Sequence, residues 1–207
     1  MEPMRVALFG GSFDPPHRGH VAIAKAAADR FSLDQVLFAP AGRQPLKAHP
    51  SGASFDDRLT MTALACAEDP RFTPSTLDAP RPDGTPNYTV DTLAQLAKSM
   101  PGAHLFKLAG ADSFHSLARW RQPERLLALA EWVVVSRPGF ELTDPPGLSL
   151  TSAQRSRIHI LDSIQMDVAA TGLRQRLADG DPCNDLLPLP VSAYILSHHL
   201  YLSGTVN

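Results

Sequence analysis

Two histidines three residues apart, His17 and His20, stand between a Gly-Gly pair and an Ala-rich run in "GGSFDPPHRGHVAIAKAAADRF", residues 10–31. Side chains at that spacing share one face of a helix start. A first helical turn offers unpaired backbone N–H groups and the positive end of the dipole. Imidazole N–H groups beside them suit phosphate oxygens on which negative charge builds, and Gly19 keeps the turn thin enough for a bulky ligand. Capping of the helix and ligation of a metal stay open as alternatives. Metal is the weaker of them, because no Glu lies between the histidines and no third ligand follows at zinc-helix spacing. Gly10 and Gly11 let backbone approach a ligand, as they would also make a plain turn. They match neither G-x-G-x-x-G nor the P-loop pattern, which disfavours a hydride-transfer dinucleotide protein and a P-loop kinase.

The elements that must hold these residues alternate. Short apolar runs at 5–10, 35–41, 104–110, 132–138 and 157–162 predict buried strands, and 71–78 predicts an edge strand because Pro74 cannot donate to a central ladder. Helical patterns fall at 19–31, 54–69, 88–100, 123–130, 170–180 and 190–201. Ser54 is the expected N-cap of the second, with Asp57 at the capping-box position; Pro123 starts the fourth and Gly180 stops the fifth. The stretch 138–156 predicts a polar, Pro- and Gly-rich surface loop. Strand–helix alternation implies βαβ units and an α/β fold: a mostly parallel sheet with helices on both faces. Ligands of such sheets bind at the carboxyl ends of strands near a switch in strand order, which is where the opening motif falls.

Bulk properties narrow the partners. The 207 residues suit one domain, 1–207, and no internal boundary stands out. Nineteen Lys and Arg against 21 Asp and Glu leave a formal charge of −2, so no general polycationic surface for nucleic acid or anionic lipid is expected. Any bound anion must meet a local cluster of donors. Cys66 and Cys183, without a CxxC partner, predict buried reduced thiols. No apolar run approaches the ~20 residues of a membrane span, and the chain runs from "MEPMRVALFGG" straight into a strand. A cytoplasmic protein is therefore expected.

"GGSFDPPHRGH" resembles the signature of the HxGH nucleotidyltransferases, read as His17-Arg18-Gly19-His20, and within them most closely the nicotinate-nucleotide adenylyltransferases. "PAGRQPLK" (40–47), "NYTVDTL" (87–93), "LAGADSFHSLARW" (108–120), "VVVSRPG" (133–139) and "LPVSAYILSHHLY" (189–201) resemble that family's segments in the same order. One departure lies in "VAATGLRQRL": where the family usually carries Ser-Ser-Thr-x-x-Arg, Thr171 and Arg174 match but Ala169 and Ala170 replace both serines. Weaker triphosphate binding is expected from that loss, at about 1.5–3 kcal/mol per hydrogen bond to a charged group and less where water substitutes.

The resemblance implies a Rossmann-like doubly wound sheet and adenylyl transfer from ATP to nicotinate mononucleotide, giving deamido-NAD and pyrophosphate in NAD biosynthesis. It implies catalytic roles for His17, His20 and Arg174. The ATP site it implies comprises Gly10, Gly11, Ser12, Phe13, His17, His20, Gly110, Asp112, Arg137, Thr171 and Arg174. Lys47, Tyr88, Thr89 and Trp120 fall to the acceptor. Asp112 suits a ribose hydroxyl or a helix cap, Arg137 an adenine pocket or a carbonyl, and Trp120 a pyridine ring. Mg²⁺ would ride mainly on the ATP phosphates, so no protein carboxylate cage is expected. His104, His115, His159, His198 and His199 form no metal set by spacing. A homo-oligomer stays open. So do an acceptor other than nicotinate mononucleotide (nicotinamide mononucleotide or phosphopantetheine), a nucleotide-binding protein with reduced turnover, and, remotely, a zinc module.

Overall fold

The computed structural model describes residues 2–43, 52–136, 143–162 and 170–202. Six strands, β1 (Arg5–Gly11), β2 (Gln35–Pro40), β3 (Phe72–Pro74), β4 (His104–Gly110), β5 (Glu131–Val135) and β6 (Ile158–Leu161), form one sheet in the order β3-β2-β1-β4-β5-β6. Every pairing in it is parallel. The order reverses between β1 and β4, so the crevice at their carboxyl ends is the switch point. Gly10 and Gly11 end one of these strands and Gly110 the other.

Alternation along the strands explains the two layers. Ala7 and Phe9 of β1, Val36 and Phe38 of β2 and Phe106 and Leu108 of β4 point to one face, beneath α1 (Arg18–Arg30), α2 (Phe55–Cys66), α7 (Ala170–Ala178) and α8 (Leu189–Ser197). Val6, Leu8, Leu37, Leu105, Trp132 and Val134 point to the other, beneath α3 (Thr89–Ser99), α4 (Ala111–His115) and α5 (Pro123–Leu129). Strands buried on both faces must be apolar at nearly every position. That is why they read as continuous runs.

Local chemistry sets most boundaries. Ser54 accepts from the Asp57 N–H at 3.1 Å and donates its hydroxyl to Asp57 at 2.6 Å, starting α2 as expected. Gly180, at φ +87°, ends α7 in a left-handed conformation that costs glycine nothing. The edge strand is shorter than its apolar run: pairing stops at Pro74, after which the Ser75 N–H returns to the Phe38 carbonyl at 2.8 Å. The expected loop 138–156 holds one turn of helix, α6 (Ser152–Arg155). It is nucleated by a Thr151–Gln154 capping box, with mutual bonds of 2.8 and 3.2 Å. Both cysteines are buried and free. Among the described residues no helix is long and apolar enough to cross a membrane.

Candidate active site

The opening motif is built around a strained turn. Phe13 adopts φ +46° directly after the strand, which turns the chain back toward the first layer. Its ring, 1% exposed, packs edge-on against Phe9 at 5.4 Å and His20 at 5.0 Å. The Phe13 ring therefore supports the turn from within. Behind the turn Arg58, also buried, donates to the Ser12 carbonyl at 2.7 Å and to the Ala53 carbonyl at 3.3 Å. Asp14 accepts from the Gly52 and Ala53 N–H groups at 2.6 and 3.1 Å and from the Tyr201 hydroxyl at 2.7 Å. A charged knot thus fixes the turn to the start of α2 and to the end of the chain.

His17 is the N-cap of α1 and His20 lies in its first turn. The rings stack with centroids 3.7 Å apart. The His17 N–H donates to Nδ1 of His20 at 3.2 Å, which leaves Nε2 of His20 as that ring's N–H donor. Nδ1 of His17 is buried and has no hydrogen-bond partner among the described residues. Burial pulls the His17 pKa down to about 4. Burial, then the neighbouring His17, holds His20 well below its ordinary value. Both rings are neutral at pH 7, and a phosphate beside them would oppose that penalty by favouring the charged form.

On the same side, Thr171 and Arg174 sit on α7, with Arg174 3.5 Å from the Thr171 hydroxyl. Arg174 donates to the Asp14 carbonyl at 2.9 Å, and the Asp14 carboxylate is 3.9 Å away. Ala170 is the first residue of α7, so no hydroxyl is available there. Lys47, Arg137 and Ala169 lie outside the described residues.

A pocket of about 460 Å³ opens on the α3 face of the switch point. Gly10, Gly11, Ser12, Tyr88, Thr89, Asp112 and Trp120 line it, bringing together most of the acceptor residues and part of the expected ATP set. Tyr88 caps α3 and Thr89 begins it, so the helix's first N–H groups face the pocket wall. Trp120 is positioned by a bond from Nε1 to the Ser116 hydroxyl at 3.2 Å and by an edge contact with Trp132 at 5.9 Å. Gly110 caps α4. His17, His20, Thr171 and Arg174 do not line this pocket. They belong to the α1 side, with the Gly10–Ser12 turn between the two half-sites.

Sequence reasoning missed several lining residues. Arg119 and Arg121 flank Trp120, and the Arg121 guanidinium lies 4.7 Å over the Tyr88 ring. Asp78 and Lys107 form part of the floor. The signal for Lys107 was present, as the one charged residue inside the apolar run "LFKLAG". Asp78 had none, because it lies in the irregular chain after β3. Away from the site, His104 and His159 hydrogen-bond the two carboxylate oxygens of Glu131 at 2.8 and 2.7 Å, near the amino ends of their strands. Among the described residues no group of three His, Cys, Asp or Glu side chains is placed to hold a metal. Stacked imidazoles, helix N–H groups and an arginine are donors for phosphate oxygens, and such a set fits a divalent ion that arrives on the phosphates.

The Cytidylyltransferase-like family model matches residues 8–176. A probable nicotinate-nucleotide adenylyltransferase of Roseiflexus sp. is 41% identical over 201 residues, spanning 97% of this chain and 100% of that protein. One of Thermus thermophilus is 40% identical over 198 residues, spanning 96% and 100%. Among solved structures, Plasmodium falciparum nicotinic acid mononucleotide adenylyltransferase complexed with APC superposes with a TM-score of 0.72 at 14% identity, over 96% of this chain and 97% of that one. At that identity the likeness concerns the fold.

Proposed function

The chain belongs to the cytidylyltransferase-like family and to its nicotinate-nucleotide adenylyltransferases, and from that premise we propose how its two half-sites divide the work. The reaction is adenylyl transfer from ATP to nicotinate mononucleotide, giving deamido-NAD and pyrophosphate, in NAD biosynthesis. The observation that carries the division is the Gly10–Ser12 turn at the switch point, with the stacked histidines on one side and the Trp120–Tyr88 pocket on the other.

ATP lies on the α1 side. His17 and His20 donate to oxygens of its α-phosphate, and Thr171 and Arg174 take the β- and γ-phosphates. Gly10, Gly11, Ser12 and Phe13 lie along the nucleotide with their backbone; Gly110 and Asp112, at the β4 end of the crevice, meet the ribose, and the family resemblance assigns Arg137 to the adenine. The acceptor lies in the α3-side pocket, its pyridine ring against Trp120, its carboxylate toward the Tyr88–Thr89 helix start, and Lys47 at its phosphate. An oxygen of the acceptor phosphate attacks the α-phosphorus from one side as the bond to the β-phosphate bridging oxygen breaks on the other. The attacking phosphate has its second pKa near 6, so at neutral pH it is already dianionic and no side chain needs to take its proton. What the protein supplies is alignment and offset of charge on the α-phosphate and the leaving pyrophosphate. A divalent ion such as Mg²⁺, carried on the phosphates and held by no protein cage, would supply part of that offset.

The reading extends to the whole chain as one domain, since both apolar layers share the one sheet, and to the cytoplasm, where ATP is plentiful. Pyrophosphate release measured with ATP and each of nicotinate mononucleotide, nicotinamide mononucleotide and phosphopantetheine tests it. Release with the first acceptor well above the other two is expected. Release only with another acceptor, or ATP binding without release, would overturn it.

A further inference from the structure

The floor of the acceptor pocket carries a charge that the mechanism above does not use. Lys107 lies in mid-strand, beside Leu8 of β1 and Trp132 of β5, on the face where Leu105 and Ala109 enter the apolar layer under α3 and α5. It is 3% exposed. Its ammonium donates to the Leu108 carbonyl at 2.7 Å, its one hydrogen bond among the described residues, so two N–H groups lack an acceptor. A Cβ added to Gly10 would lie 3.6 Å from Nζ of Lys107 and 3.7 Å from Oδ2 of Asp78. With no side chain there, both tips reach the pocket that the two residues line.

A buried charge that is only partly partnered is costly, and an apolar side chain of equal length would suit this layer at least as well. Its retention points to a ligand. We propose that Lys107 is the specificity-determining residue of the acceptor site, favouring a pyridine ring that carries a carboxylate over one that carries an uncharged carboxamide. This rests on the α3-side pocket being the acceptor site. A carboxylate with one oxygen toward the Tyr88–Thr89 helix start can accept from the ammonium with the other and gains the charge interaction; a carboxamide brings one acceptor oxygen and no charge. Asp78 does not cancel the effect. Its Oδ1 accepts from the Thr92 hydroxyl; burial raises its pKa and by the same cause lowers that of Lys107 to about 8, so the ammonium still carries its charge at neutral pH. Arg119 and Arg121 are exposed at the rim, where water screens them and weakens any preference for a charged ring.

The test measures kcat/KM for nicotinate and nicotinamide mononucleotides at saturating ATP. Lys107→Met keeps the length of the stem and removes the charge. It is expected to lower kcat/KM for the nicotinate nucleotide about tenfold or more, mainly through KM, and to leave the nicotinamide nucleotide within about threefold. Lys107→Met with Asp78→Asn, which leaves no uncompensated carboxylate, should give the same collapse of the ratio, and it decides the matter if the single variant does not fold. A purely structural lysine would depress both acceptors together, and that result, or an unchanged ratio, overturns the proposal. If the unmodified enzyme releases pyrophosphate with neither acceptor, the function itself fails. If it prefers the nicotinate nucleotide and the variants keep that preference, only the lysine assignment fails.

Discussion

Lowering the pH tests the neutral imidazole at the helix start. His17 is 7% exposed and burial holds its pKa at about 4, whereas in an unfolded chain the same ring titrates near 6.5. Between those values the unfolded state binds a proton that the folded state refuses. Stability that is complete above about 6.5 is therefore lost as pH falls toward 4. At about 1.4 kcal/mol per pH unit the interval amounts to about 3 kcal/mol in full, of which about 2 kcal/mol is gone by pH 5. His20 titrates in the same sense, so the intact protein should lose more than His17 alone accounts for. The assay is urea denaturation at pH 7.5, 6 and 5 on the unmodified protein and on His17→Asn, which puts a neutral N-cap in the same place. The variant should lose about 2 kcal/mol less between pH 7.5 and 5. Equal losses in the two proteins would refute the buried neutral ring, and with it the idea that phosphate binding draws a proton onto it.

His20→Ala removes a phosphate donor together with the acceptor of the His17 N–H and a ring packed on Phe13; turnover should fall roughly 10²–10³-fold, far more than a stability loss of about 1–2 kcal/mol at pH 7.5 accounts for while the protein stays folded, and wild-type kinetics would remove His20 from the site. Trp120→Ala should raise the acceptor KM about tenfold or more and move the ATP KM far less, as loss of a stacking surface predicts; equal shifts would place Trp120 outside the acceptor half-site. Arg58→Met strips the Ser12 and Ala53 carbonyls of their charged donor and should cost about 3 kcal/mol in denaturation experiments, with turnover reduced even where the protein is folded; a cost under about 1 kcal/mol would show that the turn holds itself.

What could be read from the chain and what could not divide along sequence distance. The strands were legible because burial on both faces forces unbroken apolar runs, and α2 and α7 because Ser54, Asp57 and Gly180 act on their own neighbours. The short helix at Ser152–Arg155 had the same kind of signal in Thr151 and Gln154, hidden by the prolines and glycines before it. The histidines, Tyr88, Thr89 and Trp120 stood out through their motifs. The floor of the pocket did not. Lys107 was visible as a charge in an apolar strand, but that its tip lies over Gly10 beside Asp78 depends on three segments up to 97 residues apart, brought together by the pairing of β1 with β4 and by the chain after β3. Arg58 carried no signal beyond the helical pattern at 54–69, because its acceptors, Ser12 and Ala53, belong to a turn and a helix entrance.

The same register explains how a site lacking two of the family's hydroxyls remains arranged for two polyanions. Under the proposed division each nucleotide would rest mainly on one layer, with Gly110 and Asp112 of the α4 side shared with ATP, and the reacting phosphates would meet at the carboxyl edge. The Gly10–Ser12 turn between them is held from behind by Arg58, and Arg174 is held ahead of any ligand by the Asp14 carbonyl, with the Asp14 carboxylate close enough to attract it. Two of Arg174's five N–H donors go to that carbonyl and to the Thr171 hydroxyl, so three remain for a triphosphate at little further cost in side-chain entropy. An alanine at position 170 removes a hydroxyl but leaves the first N–H groups of α7 and the preset guanidinium in place. The burden of triphosphate binding then falls on charge more than on neutral donors, and affinity for ATP should decline more steeply with added salt than in a relative that keeps its serines.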